Sequence, residues 1–187
     1  MHCGCGRSTD VTSTLTAPLP SRTSSPALDF EALYRAARDD VYAYVATLLR
    51  DRAAAEDVTA AAFERAYRKQ ASYKAGRGSE RAWLFGIARN AALDELRRRK
   101  RAAALVGEPA DVEATLPEDA AEAALRRAAV RAGLATLDAR ERELIALKFH
   151  AGLANAELAA VVGVSVSNAG TQLHRAMTKL REAVEHA

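Results

Sequence analysis

The chain has 187 residues, a formal net charge of +3, 49% hydrophobic residues and only 5% aromatic ones. That length holds one ordinary domain or two small ones, and an apolar content weighted towards alanine favours many helices over large cores. The two cysteines, Cys3 and Cys5, lie at the extreme amino terminus, which excludes a disulfide framework and suits a cytosolic protein; with His2 they are too few and too close for a zinc site, and no apolar run approaches the ~18 residues of a membrane span.

Charge is distributed unevenly. Residues 81–101 carry seven basic and two acidic groups, whereas residues 102–125 carry six acidic groups and no basic one. A basic stripe predicts a polyanionic partner, and an acidic strip predicts a basic groove or a solvated spacer.

Residues 1–27 are rich in Ser, Thr and Pro and lack the apolar stretch of a signal peptide, so a disordered tail is expected. Asp29 then reads as the cap of a first helix. Phe30, Leu33, Tyr34, Ala37, Val41, Tyr44, Val45 and Leu48 follow at helical spacing. A second helix is expected from Ala53 to Ser72, with Val58, Ala62, Phe63, Ala66 and Tyr67 on one side. Two glycines between Lys74 and Gly78 break it. Ser79 caps a third helix to about Arg101, with Leu84, Ile87, Ala88, Ala91 and Leu96 inward.

Periodicity ends between Ala102 and Glu122, where Gly107, Pro109 and Pro117 alternate with acidic residues; this is a linker composition. A second unit starts near Ala121, with Leu125, Ala128, Ala129 and Ala132 marking its first helix. Asp138 and Glu141 form a capping pair for a helix to about Phe149, which Gly152 stops. Asn155 is expected to cap a short helix to Val162, Gly163 to turn the chain, and Ser165 to cap a final helix with Ala169, Leu173, Ala176, Leu180 and Val184 inward. No strand pattern or internal repeat is present. The expected fold is all-α: two small helical domains, residues 28–101 and 123–187, joined by a flexible acidic linker at 102–122, the second a helix-turn-helix unit of four helices.

Two segments carry chemistry. Gly152 to Arg175 has the short helix, glycine turn and longer helix that seat a recognition helix in the major groove. Its first outward residues are Ser167, Asn168, Thr171 and Gln172, followed by His174 and Arg175. Asn and Gln can pair bidentately with adenine, and Arg with guanine or phosphate. The bland alternative is a plain helical hairpin. The other segment runs from Trp83 through Arg89 and Asn90 into Arg97, Arg98, Arg99, Lys100 and Arg101. Such a run neutralises phosphates, or simply complements the negative end of its helix. Tyr73, Trp83 and Phe85 beside it can stack on unpaired bases, with Lys74, Arg77 and Ser79 as a polar rim. Phe85 reads better as core, and for Trp83 stacking and packing stand equal.

At these residues the chain resembles the extracytoplasmic-function (ECF) group of the sigma-70 family, the specificity subunits of bacterial RNA polymerase. The resemblance covers about Phe30 to Arg101 and Leu134 to Val184. Trp83-Leu84-Phe85-Gly86-Ile87-Ala88-Arg89-Asn90, Gly152-Leu153, Glu157-Leu158-Ala159 and Leu173-His174-Arg175-Ala176 carry it in order and spacing. It implies that Glu56, Asp57, Val58 and Phe63 grip core polymerase. It implies that Lys74, Trp83, Arg89, Asn90, Arg97 and Arg98 engage the −10 element, and that Ser167, Asn168, Thr171, Gln172, His174 and Arg175 read the −35 element. The implied partners are core RNA polymerase, promoter DNA and an anti-sigma factor, with no cofactor, metal or membrane insertion and no catalysis of its own.

Three features depart from the family pattern. Ala60 stands where a glutamine is usual, and the tail has no counterpart. Asn168-Ala169-Gly170-Thr171-Gln172 replaces a Thr-Val-Lys-Ser-Arg pattern and so lacks two cations. Gly170 also costs the helix about 1 kcal/mol relative to alanine. The competing reading is a free-standing helix-turn-helix regulator, which needs a dimer to read two half-sites; no long heptad stretch for one is evident. An enzyme is disfavoured, because the adjacent acidic pairs Glu56/Asp57 and Asp94/Glu95 point to different helix faces and lack a nucleophile or metal spacing.

Overall fold

The computed structural model describes residues 28–106 and 121–185, and the side chains of 28–104 and 128–185. The expected tail and most of the acidic linker lie outside the described residues. Among the described residues the regular structure is entirely helical: α1 (Phe30–Leu49), α2 (Arg52–Lys69), two short 3-10 turns (Gln70–Ser72 and Ala75–Arg77), α3 (Glu80–Val106), α4 (Ala121–Thr136), α5 (Ala139–Phe149), α6 (Asn155–Val162) and α7 (Val166–Glu185).

Side-chain caps define most starts. Asp29 accepts from the Ala32 amide at 3.0 Å, Asp51 from Ala54 at 3.1 Å, and Ser79 from Ala82 at 3.1 Å. Each oxygen satisfies an amide that the first turn leaves without a partner. Arg50 and Asp51 alone connect α1 to α2. Arg50 takes a left-handed φ of 52° there, so that its amide reaches the Ala46 carbonyl at 2.9 Å.

The first unit packs α1, α2 and α3 around Val41, Tyr44, Val45, Leu84 and Phe85. Tyr44 and Phe85 meet edge to face at 5.5 Å. Fully buried alanines at 37, 55, 62, 66, 88 and 92 let the helices approach closely. This is how an alanine-rich chain makes a core with few large side chains. In the second unit Leu144, Leu147, Leu153, Leu158, Leu173 and Ala176 fill the space between α5, α6 and α7. α4 lies along α7, so closely that a Cβ on Gly133 would meet Leu180 at 2.9 Å and Val184 at 3.0 Å.

Several boundaries differ from the sequence reading. α2 stops at Lys69 and tightens into a 3-10 turn, while α3 continues past Arg101 to Val106. Asn155 is the first residue of α6 rather than its cap; Ala154 holds the cap position and has no side-chain acceptor, so only the return half of a capping pair forms, from the Ala154 amide to Glu157 at 3.1 Å. By contrast Asp138 and Glu141 make both halves of theirs. Ala128 and Ala132, which mark this helix in the sequence, are exposed on α4. Tyr67, on the same side of α2 as the buried Phe63 in the sequence reading, is 58% exposed. It lies at the rim of α2, where its ring leans on Phe30 at 5.3 Å.

The largest departure concerns the two units together. They are in contact: α5 packs on α1 and α6 packs on α3, and the buried residues of both form one continuous cluster.

Candidate nucleic-acid and polymerase interface

α7 presents Ser167, Asn168, Thr171, His174 and Arg175 to solvent, while Ala169, Leu173 and Ala176 anchor its opposite side. The start is set by Ser165, whose hydroxyl accepts from the Asn168 amide at 3.2 Å. Gly163 makes the preceding turn at φ 75°, a left-handed conformation that glycine adopts without strain. Gln172 is half-buried, unlike its neighbours. Its amide donates to Asn168 Oδ1 at 2.8 Å, and its own Oε1 is enclosed without a partner among the described residues. Asn168 is therefore the exposed amide, held in orientation by the one behind it. Gly170 is open: the nearest atom to a Cβ there would be Asn155 Nδ2 at 3.9 Å. Packing does not require this glycine.

The α3 segment is divided. Asn90, Arg97 and Arg98 are exposed, as is Lys74 on the preceding loop. Trp83 is half-buried, with one side on the core and its ring 5.7 Å from Tyr73, whose hydroxyl donates to the Gly78 carbonyl at 3.2 Å. Packing and an accessible ring edge are thus combined in Trp83, and Phe85 is wholly core. Arg97 pairs with Asp94 at 3.0 Å and Arg98 with Glu95 at 2.7 Å along the same helix. The Arg97 pair is exposed at both ends, so it is worth little and exchanges readily for phosphate, whereas Glu95 beneath Arg98 is largely buried. Arg99 turns inward instead, to Glu95 and Asp51.

Arg89 is the exception among the expected DNA contacts. Its guanidinium is 17% exposed and donates to Glu143 of α5 at 2.5 Å, where Glu143 is only 5% exposed. Arg140 holds the other oxygen of Glu143 at 2.8 Å. The Tyr44 hydroxyl is enclosed nearby with no partner among the described residues. Burial, followed by the Glu143 charge, pushes its ionisation well above the ordinary phenol value.

More contacts cross between the units. Arg81 at the start of α3 donates to the carbonyls of Ala151 at 2.5 Å and His150 at 2.7 Å, and it pairs with Asp40. It thereby satisfies carbonyls that the end of α5 leaves over. The Ser79 hydroxyl donates to Glu157 of α6, whose carboxyl is lowered chiefly by this bond. Thr47 faces His150 at 3.5 Å. Sequence reading did not single out Arg81 or Glu143. Each is an ordinary charged residue within its own helix, and its role depends on the facing unit.

On α2, Glu56 and Asp57 are exposed, and Arg52 reaches Glu56 at 3.2 Å. Val58 and Phe63, expected to grip the polymerase, are 9% and 6% exposed and belong to the core. They support the helix from beneath. Ala60 lies on the exposed side with the two acidic residues.

Comparison with known proteins places the chain in a family. The chain matches the family model of Sigma-70 region 2 over residues 33–102 and that of Sigma-70, region 4 over residues 127–180. The chain belongs to the ECF group of RNA polymerase sigma factors. It is 33% identical to the ECF RNA polymerase sigma factor SigL of Mycobacterium tuberculosis over 168 residues, which cover 86% of this chain and 94% of SigL. It is 32% identical to the RNA polymerase sigma factor CarQ of Myxococcus xanthus, over 82% of this chain and 87% of CarQ. Its fold superposes with a TM-score of 0.74 and 25% identity on the sigma factor RpoE from Bartonella quintana, crystallised with the anti-sigma factor NepR; the match covers 84% of this chain and 97% of that one.

Proposed function

We propose that this chain binds core RNA polymerase through the exposed acidic side of α2, at Glu56 and Asp57, and directs it to promoters. Lys74, Trp83, Arg89, Asn90, Arg97 and Arg98 engage the −10 strand as it opens. Ser167, Asn168, Thr171, His174 and Arg175 face the −35 duplex, and Gln172 orients Asn168. The supporting observation is the polar, exposed face of α7 behind its capped glycine turn, on the same chain as the basic, aromatic-edged start of α3. The protein works by placing the polymerase and performs no bond-making step itself. It acts in the cytoplasm, where polymerase and chromosome meet. An anti-sigma factor is a third partner, by analogy with the RpoE relative.

Co-elution of the purified chain with bacterial core polymerase at physiological salt tests the proposal. A stable complex that initiates from a defined promoter is expected. Failure to bind core, together with tight duplex binding as a dimer, would return the chain to the free-standing regulators.

A further inference from the structure

The amide pair at the start of α7 has a fixed polarity. Gln172 donates through Nε2 to Asn168 Oδ1 at 2.8 Å, one helical turn back, while its own Oε1 is enclosed without a partner among the described residues. Turned over, Gln172 would enclose its NH2 group instead and leave two donors unmet in place of one acceptor, which costs more. Gln172 therefore meets Asn168 with a donor, and Asn168 answers with its oxygen. A carbonyl oxygen has two lone pairs. Gln172 uses one, so the exposed Asn168 keeps the other, beside its own Nδ2 donors.

An edge with one acceptor and one donor matches adenine, which offers the N6 amino group and N7 in the major groove. Guanine offers two acceptors there, O6 and N7, and one of them would face the fixed Oδ1. The neighbouring residues do not supply a two-donor fork for it. No arginine or lysine lies between Ser165 and His174, and the Thr171 hydroxyl donates to the Ser167 carbonyl at 3.0 Å.

We infer that Asn168 reads the adenine of an A·T base pair, and that Gln172 is the positioning residue that imposes this choice by holding Asn168 from behind with a donor. This rests on the assignment of α7 to the −35 duplex above and deepens it by naming one base and the group that selects it.

The test uses the full chain bound to bacterial core polymerase, selecting duplexes from a pool randomised over the −35 and −10 regions. The unmodified chain is expected to select a −35 element with one A·T pair that Asn168→Ala no longer selects. Gln172→Leu, of similar volume but without the donor, should lose preference at that same pair by about tenfold and leave the other positions unchanged. Its circular dichroism and core binding should stay as in the unmodified chain. Replacing the selected adenine by 7-deazaadenine, which lacks N7, or by purine, which lacks the N6 amino group, should weaken binding by the unmodified chain about tenfold and by Asn168→Ala hardly at all. A −35 element in which no position depends on Asn168, or in which the dependent position is a G·C pair, overturns the inference. So does a Gln172→Leu chain whose preference is intact, or an analogue that weakens both chains equally. A pool that yields no −35 element, or a chain that does not bind core polymerase, removes the promoter-reading assignment itself and the base choice with it.

Discussion

The guanidinium of Arg99 lies 2.8 Å from the carboxylate of Asp51, the residue that caps α2. It lies equally close to Glu95, one turn back on its own helix. One cation of the basic run therefore ties α3 to the start of α2, while Arg97 and Arg98 stay at the surface. Glu95 is held at about 2, first by its hydrogen bonds from Arg98 and then by those from Arg99, against an opposing effect of burial. Because this carboxyl is depressed in the folded state, its contribution is complete above the ordinary glutamate value of about 4.3 and is lost as pH falls towards 2. Glu95→Gln should flatten that acid limb in urea melts taken across the range. Arg99→Ala should lower Tm, and Arg97→Ala should leave it unchanged while weakening DNA binding.

His150 provides a pH response of the opposite origin. Burial against α1 lowers it below its ordinary value, and Asp40 offsets only part of the effect. Arg81, also close, donates to its carbonyl. A histidine lowered in the packed state favours packing above its ordinary value near 6.5 and opposes it as pH falls below that value, because the unpacked form takes up the proton more readily. Melting between pH 7.5 and 5.5 should show a loss of stability, which His150→Gln removes. An unchanged slope in the variant would assign the loss to other groups.

Gly170 offers a separable gain. Nothing packs against it beyond Asn155 at 3.9 Å, so Gly170→Ala should stabilise the protein by about 0.5–1 kcal/mol through helix propensity. Gly170→Lys adds a cation to α7, the helix proposed to face the −35 duplex. It should steepen the fall of duplex affinity with log salt by about one unit if the added ammonium meets a phosphate.

Asn168 and Arg175 should behave differently. Asn168→Ala is expected to cost about 1–3 kcal/mol at one base pair and to relax preference there. Gln172→Ala should lose part of the same preference by freeing Asn168. Arg175→Ala should weaken all duplexes alike if it holds phosphate. Binding across a set of single-base promoter variants distinguishes these outcomes.

On α2, exposure separates two kinds of residue. Phe63→Ala should destabilise the fold by about 3–5 kcal/mol, as a large buried ring does. Asp57→Ala should leave Tm unchanged and reduce co-elution with core polymerase. Equal losses of both would place Asp57 in the scaffold.

The helices were legible because their signals are local. Asp29, Ser79, Asp138 and Ser165 each bond an amide three residues on, an arrangement that depends only on residue type and spacing; Asp51 does the same for α2 and was not singled out. The exposed side of α7 was legible for the same reason, since its exposed and buried sides alternate at helical period. Val58 and Phe63 lie in the core rather than at the surface, because a family motif spans both sides of its helix and only packing separates the exposed side from the buried one.

The sequence by itself determined the order of helices, four of their caps (Asp29, Ser79, Asp138 and Ser165) and the family, through local hydrogen bonding and periodicity within one chain segment. The tertiary structure decided which charges are spent inside the protein. Arg99 closes on Asp51, Arg89 on Glu143 and Arg81 on the end of α5, pairings that join residues 48, 54 and 69 positions apart. No local rule selects such partners. They follow from how the apolar faces of two units meet, which brings fixed charges close enough for each to replace the other's water.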